Sequence, residues 1–240
     1  MQHKKPDFCV KLFASLAALC VCQAFTRDVN AADSSEIWPE VSGFVHLSPA
    51  TRVYLDAAYA EGKESDTRSL DLAAYLDISL KPIRRRELWT EDWQRSRYLW
   101  ARIGYGRISK ATDEARAEVA EDRGIVSLYG KAPLPANIWL EARARTDLRW
   151  IGGDYSTRYR FRVEATRAFN VLEYTVVPYV NVEWFYDTRY DGWARTLYQA
   201  GPEVTVNRHF RYEIYLARQV DRLPHQETLN ALGLVAKWYF

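Results

Sequence analysis

The arginines of this chain recur at every second or fourth position in two adjacent segments. They are Arg143, Arg145, Arg149, Arg158, Arg160 and Arg162. A guanidinium group offers a planar fork of donors that matches carboxylates and phosphates, and rings of such groups select anions in pores. If these side chains share one wall, the first hypothesis is a small channel with an arginine-lined lumen that passes or binds anionic solutes.

Acidic side chains occur at comparable positions and support an alternative. The other residues that we predict to line the same interior are Glu164, Glu183, Arg195, Glu203 and Glu213. The four glutamates of this set, together with Glu141 and Asp147, could neutralise every arginine, because buried charges persist when they are paired. The interior of a narrow barrel can also be filled by side chains. A closed structural barrel with an ion-paired core and no transport is therefore the alternative to a channel.

Histidines supply the remaining chemistry, and they give catalysis little support. A lipid hydrolase needs a nucleophile with a histidine base within hydrogen-bond reach, and only His46, close to Ser48, offers such a pair. His209 and His225 fall in predicted turns, and Asp221 near His225 supplies too few ligands for a metal site. The chain has no phosphate loop and no dinucleotide fingerprint. We therefore expect no enzyme, cofactor or metal site, and a lipid hydrolase is the third and least supported function.

A period of two in hydrophobicity predicts the elements that carry these residues. In segment 70–81, apolar side chains alternate with a polar set that includes Asp71 and Asp77, and three segments between 138 and 186 repeat the pattern. Such alternation indicates β-strands with one apolar and one polar face. The segments are longer than the roughly 5 or 6 residues usual in soluble strands, and they suffice for a tilted membrane crossing of roughly 9 to 11.

Candidate strands cover the chain after the leader. They lie near residues 40–47, 52–60, 69–81, 97–107, 123–132, 136–150, 156–168, 172–186, 193–207, 211–221 and 228–240. Single-chain bacterial barrels normally have an even number of strands. We therefore predict an all-β, transmembrane, antiparallel up-and-down barrel of about 12 strands. The alternative is a barrel of about 10 strands in which 40–47 lies outside the closed sheet.

The connections are predicted to alternate between the two sides of a membrane. Tight turns near 134–136, 169–171 and 207–209 should face the periplasm, and the arginine-rich segment 82–96 is a long periplasmic turn or a concealed strand. The segments expected to face outward are 61–68, 109–122, 151–155, 187–192 and 222–227.

The first 31 residues have the features of a secretory signal peptide. Lys4 and Lys5 precede an apolar stretch, and short side chains before and at Ala31 suit a cleavage site. We predict a signal peptide over 1–31 and a barrel domain over 32–240. All three cysteines lie in the leader, so the remaining domain can form no disulfide. Its basic and acidic residues are equal in number.

The carboxyl terminus supports a membrane location. Trp238 and Phe240 end the last strand as a barrel-assembly signal, and aromatic residues such as Trp139 and Trp150 gather at strand ends, as in interfacial girdles. We predict the outer membrane of a Gram-negative bacterium. The expected partners are outer-membrane lipids, lipopolysaccharide and the barrel-assembly machinery. The basic run 84–86 is expected to be solvated or to face headgroups, so no nucleic-acid partner is predicted.

Four motifs carry a resemblance to a known family. They are Trp38-Pro39-Glu40, the block 139–149, Tyr159-Arg160-Phe161-Arg162, and Pro178-Tyr179 with Glu183 and Phe185-Tyr186. They resemble a family of Gram-negative outer-membrane barrels known as a domain of unknown function. The resemblance implies location and architecture but no activity. More distantly, the chain is similar to narrow porins, which implies acidic oligosaccharides as the class of anionic solute.

Overall fold

A computed structural model describes residues 33–62, 67–80, 98–112, 119–224 and 226–240. The strands are β1 (Asp33–His46), β2 (Thr51–Gly62), β3 (Thr67–Ser79), β4 (Leu99–Thr112), β5 (Val119–Leu134), β6 (Ile138–Ile151), β7 (Asp154–Arg167), β8 (Phe169–Val171), β9 (Tyr174–Asp187), β10 (Gly192–Thr205), β11 (Phe210–Asp221) and β12 (Glu227–Tyr239). A short 3-10 turn, Pro135–Asn137, joins β5 to β6. The leader, segment 82–96 and His225 lie outside the described residues. No helix in the described part of the chain is long and apolar enough to cross a membrane.

The long strands form one closed ring, and the all-β barrel predicted from the sequence is confirmed. Each ring strand pairs with the next ring strand along the chain, so that β7 pairs with β9, and β8 lies outside the ring against β9 alone. Of the twelve described strands, eleven belong to the ring, one fewer than the favoured number. Segment 40–47, which the smaller alternative excluded, belongs to β1. β3 pairs directly with β4, and segment 82–96, predicted as a long periplasmic turn or a concealed strand, lies outside the described residues.

The ring closes through a parallel pair between its first and last strands. β1 and β12 run side by side from Asp33 opposite Thr228 to Phe44 opposite Tyr239, whereas the other pairings are antiparallel. We call the end of the barrel at Phe240 the carboxyl end and the opposite one the far end. The parallel pair places Asp33 at the far end, because β1 begins where β12 begins.

The predicted turns separate as expected between these two ends. The connections that contain 134–136, 169–171 and 207–209 lie at the carboxyl end, together with the β1–β2 turn. Strands β2, β4, β6, β9 and β11 end at the far end.

The alternation of the sequence separates an apolar outside from a polar inside. In β3, Leu70 and Leu72 are exposed on the outer surface, whereas Tyr75 and Asp77 are buried. In β12, Leu232, Leu234, Trp238 and Phe240 are exposed, with Phe240 at 71%, while Val235 between them is buried. An exposed apolar face of this extent marks an interaction surface, here that of an outer-membrane-type barrel.

One inward glycine fixes the packing of the last strands. A Cβ atom at Gly233 would meet three ring atoms of Tyr215 between 2.0 and 2.4 Å away. The ring therefore occupies the space that a side chain at Gly233 would need. Tyr215 packs on the same side against Phe185, Leu197, Ala217 and Val235 in the apolar cluster of this wall.

Candidate functional site

The interior of the barrel contains every residue that the sequence analysis placed there. Each has at least one polar atom within 4 Å of an oppositely charged group on the inner wall. The predicted positions are Arg143, Arg145, Arg149, Arg158, Arg160, Arg162, Glu164, Glu183, Arg195, Glu203 and Glu213. The sequence did not reveal that the opposite charges join into connected clusters.

Glu183 is the centre of the middle cluster. Its carboxylate accepts hydrogen bonds from Arg143 and from Arg160, the latter through Nε at 2.7 Å and Nη2 at 3.1 Å. Arg145 donates to Asp147, and Arg160 Nη1 lies 3.7 Å from the same carboxylate. Glu183 is 2% exposed and Asp147 is 1% exposed. Paired carboxylates at this burial are stable because the guanidinium groups replace the lost water.

A second cluster lies toward the far end. Arg149 donates two hydrogen bonds to Glu121, at 2.6 and 2.9 Å, and its Nη1 donates a third to Asp187 at 2.6 Å. Arg158 also donates to Asp187, at 2.8 and 3.0 Å. Asp187 is fully buried. Further along the same wall, Arg195 Nη2 donates to Asp221 at 2.8 Å.

Two of these acids were not named among the interior residues from the sequence, because they stand at strand ends. Glu121 fell within the outer segment predicted at 109–122, and Asp187 opened the outer segment predicted at 187–192. In the structure, β5 begins at Val119 and β9 extends through Asp187. The alternation that identified the arginines would have placed both acids inward if the strands had been extended by a few residues.

The wall formed by β12, β1, β2 and β3 carries a row of stacked rings. Tyr239, Phe44, Tyr54 and Tyr75 follow one another with ring centroids 4.6, 4.6 and 5.0 Å apart. The guanidinium of Arg102 lies 4.4 Å from the centroid of Tyr54, a cation–π geometry.

Asp77 anchors the charges beside this aromatic row. Its carboxylate accepts hydrogen bonds from Arg52 Nε at 3.0 Å and from Arg102 Nε at 2.6 Å. Asp77 is fully buried, so this pair also joins neighbouring strands away from water. The ion-paired interior therefore extends beyond the arginine-rich wall.

Several side chains of the middle layer are almost inaccessible to water. Ile125, Tyr129 and Phe185 are 2%, 3% and 4% exposed, and they lie at the level of Asp147 and Glu183. Side chains that lined a wide water-filled pore would be accessible to water, so these three are packed against other side chains of the interior.

The carboxyl end, in contrast, contains a cavity of about 460 Å³. We call it the carboxyl-end cup. Its charged walls are joined by Lys237, which donates to Glu203 at 2.8 Å and to Glu213. Arg211 donates to Glu203 at 3.0 Å, and Tyr179 donates to Glu213. The cup is therefore polar, and these ionic groups are already paired with one another, whereas the ammonium group of Lys131 contacts the ring of Trp139.

The candidate catalytic residues have other contacts. The hydroxyl of Ser48 lies 2.8 Å from that of Thr51 and accepts the backbone N–H of Thr51 at 3.0 Å, so it is used within its own turn. His46 is exposed. His209 Nδ1 lies 2.8 Å from the carbonyl oxygen of Tyr239 at the carboxyl end. In the described ranges, no group of three or more His, Cys, Asp or Glu side chains is arranged to hold a metal ion.

The predicted assembly signal lies on the outer surface. Trp238 and Phe240 are both exposed there, and the ring of Trp238 lies 5.1 Å from that of Phe210 on β11. At the far end, Trp150, Tyr155 and Trp193 are likewise exposed. Aromatic side chains thus occur on the outside at both ends, as expected for interfacial girdles.

Comparison with known proteins finds similarity among solved structures. No known family matches the sequence, and no curated protein matches it. Among solved structures, the chain is similar to the β domain of the Bordetella autotransporter BrkA, at 13% identity and a TM-score of 0.47. The similarity covers 74% of this chain and 80% of that one.

Proposed function

We propose that this chain is an outer-membrane β-barrel of a Gram-negative bacterium. The support comes from its surface, on which leucines such as Leu55, Leu128 and Leu216 are at least half exposed. A protein dissolved in water rarely leaves so much apolar surface uncovered, whereas acyl chains would cover it. The predicted leader and the aromatic end at Phe240 agree with this location. Outer-membrane lipids, lipopolysaccharide and the assembly machinery are its proposed partners.

We propose further that the barrel is a closed structural scaffold and not an open channel. The observation that carries this proposal is the pairing of the buried Glu183 with Arg143 and Arg160, at the level of the buried rings of Tyr129 and Phe185. An arginine wall attracts anions when its guanidinium groups face water. Here the donors are directed to buried carboxylates, so an entering anion would have to displace them.

The energetics favour retention of these pairs. Removing one partner of a buried ion pair typically costs about 3–5 kcal/mol, because the other charge is left uncompensated. An anionic solute that separated Arg160 from Glu183 would incur a penalty of this kind at each cluster. The ion pairs therefore act as cross-links between strands, and they join walls that the backbone ladder does not connect directly.

The proposal is tested by conductance in planar bilayers. The wild-type barrel should show no discrete current steps. A double variant with Tyr129→Ala and Phe185→Ala should conduct, because it removes two rings from the filled layer. Phe161→Ala is the matched control, since Phe161 lies on the outer face of β7 and is exposed; it should remain silent.

Insertion is checked separately for each variant by heat-dependent mobility on a denaturing gel. Anion-selective steps from the wild-type barrel would contradict the closed scaffold and support the arginine-lined channel. In that case, neutral substitutions at Arg143, Arg160 and Arg162 should reduce the preference for anions. If Phe161→Ala conducted and the double variant did not, the current would arise from disturbed packing of the barrel and not from the loss of the two interior rings.

A further inference from the structure

The carboxyl-end cup has the dimensions of a small-molecule site. Its volume of about 460 Å³ lies within the range of roughly 300 to 1,000 Å³ that such sites occupy. The filled middle layer lies beyond it, so the cup is a blind pocket if the barrel is closed. The inference that follows rests on the proposed function, because the cup is a blind pocket only in a closed barrel. The side chains of the cup then determine which ligand chemistry it suits.

The charged groups of the cup are bound in ion pairs, except Lys131, whose ammonium group lies over the ring of Trp139. Glu203 is bound by both Arg211 and Lys237, and Glu213 is bound by Lys237. Arg162 Nη2 lies 3.0 Å from Glu141. An added ammonium group would have to break one of these pairs to reach a carboxylate, and an added carboxylate would have to break a pair or draw Lys131 away from the ring of Trp139. A neutral ligand can hydrogen bond to the remaining lone pairs and N–H groups without breaking a pair.

The amides of the cup favour hydroxyl groups. The wall includes Asn181 and Gln199, and each primary amide offers both donors and an acceptor. Asn181 is 8% exposed, its Nδ2 donates to Glu164 at 3.4 Å, and its Oδ1 has no hydrogen-bond partner in the described part of the chain. Arg162 Nε is likewise buried without an acceptor in that part of the chain. A hydroxyl group can serve both kinds of atom, since it donates and accepts.

An aromatic side chain completes the wall. Trp139 borders the cup, with the ammonium group of Lys131 5.3 Å from its ring centroid and the ring of Tyr98 at 5.6 Å. These contacts hold the indole in place. A fixed indole beside paired charges and amides is suited to a ligand with an apolar face and a hydroxylated rim.

We propose that the carboxyl-end cup binds a neutral, hydroxyl-rich ligand of one or two sugar rings. The ligand class differs from the anionic solute expected from the arginines, because those arginines are already paired. Trp139 provides the apolar contact, and Gln199 with Asn181 provides hydrogen bonds. The cup opens on the side of the membrane where β12 ends, which is the periplasmic side for the predicted orientation.

Binding is measured on the full-length barrel in detergent, with maltose as the neutral probe. Glucuronic acid and glucosamine are the charged probes. Saturation-transfer NMR and titration calorimetry should show maltose binding, with both charged sugars at least about tenfold weaker. Trp139→Leu should weaken maltose binding by about tenfold or more. Trp150→Leu is the matched control, because it changes the same residue type on the outer face of the same strand, and it should leave binding unchanged.

A second variant protects the test against a folding defect at Trp139. Gln199→Met keeps the shape of the side chain and removes its amide, so it should also weaken maltose binding. The proposal is overturned if maltose does not bind, if glucuronic acid binds as tightly, or if Trp139→Leu and Trp150→Leu behave alike. This outcome is distinct from failure of the closed scaffold, which depends on bilayer conductance and not on sugar titration.

Discussion

Arg143 on β6 and Glu183 on β9 form a buried ion pair across the intervening strand β7. The pair links two strands that share no backbone hydrogen bonds. Arg160, on β7 itself, binds the same carboxylate from between them. One acid thus ties three consecutive strands together on the inner wall, and this arrangement makes the interior a structural element.

Removal of the central carboxylate should destabilise the barrel strongly. Glu183→Gln removes the negative charge that Arg143 and Arg160 share and replaces one acceptor oxygen with an amide donor, so we expect a loss of about 3–5 kcal/mol in the free energy of unfolding. Urea unfolding in lipid vesicles, followed by tryptophan fluorescence and gel mobility, measures it. Glu61→Gln is the control, because Glu61 pairs with Arg68 at 3.3 Å on an exposed surface, and such pairs contribute about 0–1 kcal/mol. Equal losses for both variants would contradict a structural role for the middle cluster.

The pair between Arg195 and Asp221 offers a test of direct coupling. Arg195→Glu should destabilise the barrel, because two carboxylates would then face each other across β10 and β11. Adding Asp221→Arg restores an opposite pair and should recover much of the loss. We expect a coupling free energy of about 0.5–3 kcal/mol in the double-mutant cycle. Additive losses would indicate that the two residues act independently.

The contact between Tyr215 and Gly233 predicts a steric effect. Gly233→Ala places a methyl group where the tyrosine ring lies, and overpacking of this kind costs about 1–3 kcal/mol. The measurement is the midpoint of heat-dependent conversion on a denaturing gel. Gly130→Ala provides the control, since a Cβ atom at Gly130 would meet no other atom within 4 Å. Tyr215→Ala removes the ring that the new methyl group would meet, so adding Gly233→Ala in that background should cause little further loss of stability. An undiminished loss in that background would contradict the steric explanation.

The sequence predicted the inner and outer faces well because alternation is a local property. Arg160, Glu183 and Lys237 all face the interior, and Leu72 and Trp238 face outward, as the period of two requires. The face that a side chain occupies depends only on whether its position is odd or even within the strand. Errors of a few residues in the strand ends therefore do not change it.

The pairing of charges could not be predicted in the same way. Whether Arg149 faces water or binds Glu121 depends on cross-strand register and on where β5 begins, and neither is encoded by alternation. The eleven candidate strands correspond to the eleven strands of the ring, but the even number usual for single-chain barrels led to a prediction of about 12. Antiparallel neighbours follow from short turns, but the parallel pairing of β1 with β12 joins the two ends of the chain and has no local signal.

The odd ring predicts that the two ends of the barrel chain lie on opposite sides of the membrane. An epitope inserted immediately before Asp33 should lie with the turn at 188–191, and an epitope after Phe240 should lie with the turn at 207–209. If the last strand ends in the periplasm, antibody should bind the first epitope on intact cells and the second only after the outer membrane is opened. Epitopes placed in the two turns are the controls for each side. Labelling of both chain ends from the same side would contradict the parallel closure, because only a ring with an even number of strands returns its last strand to the side on which the first began.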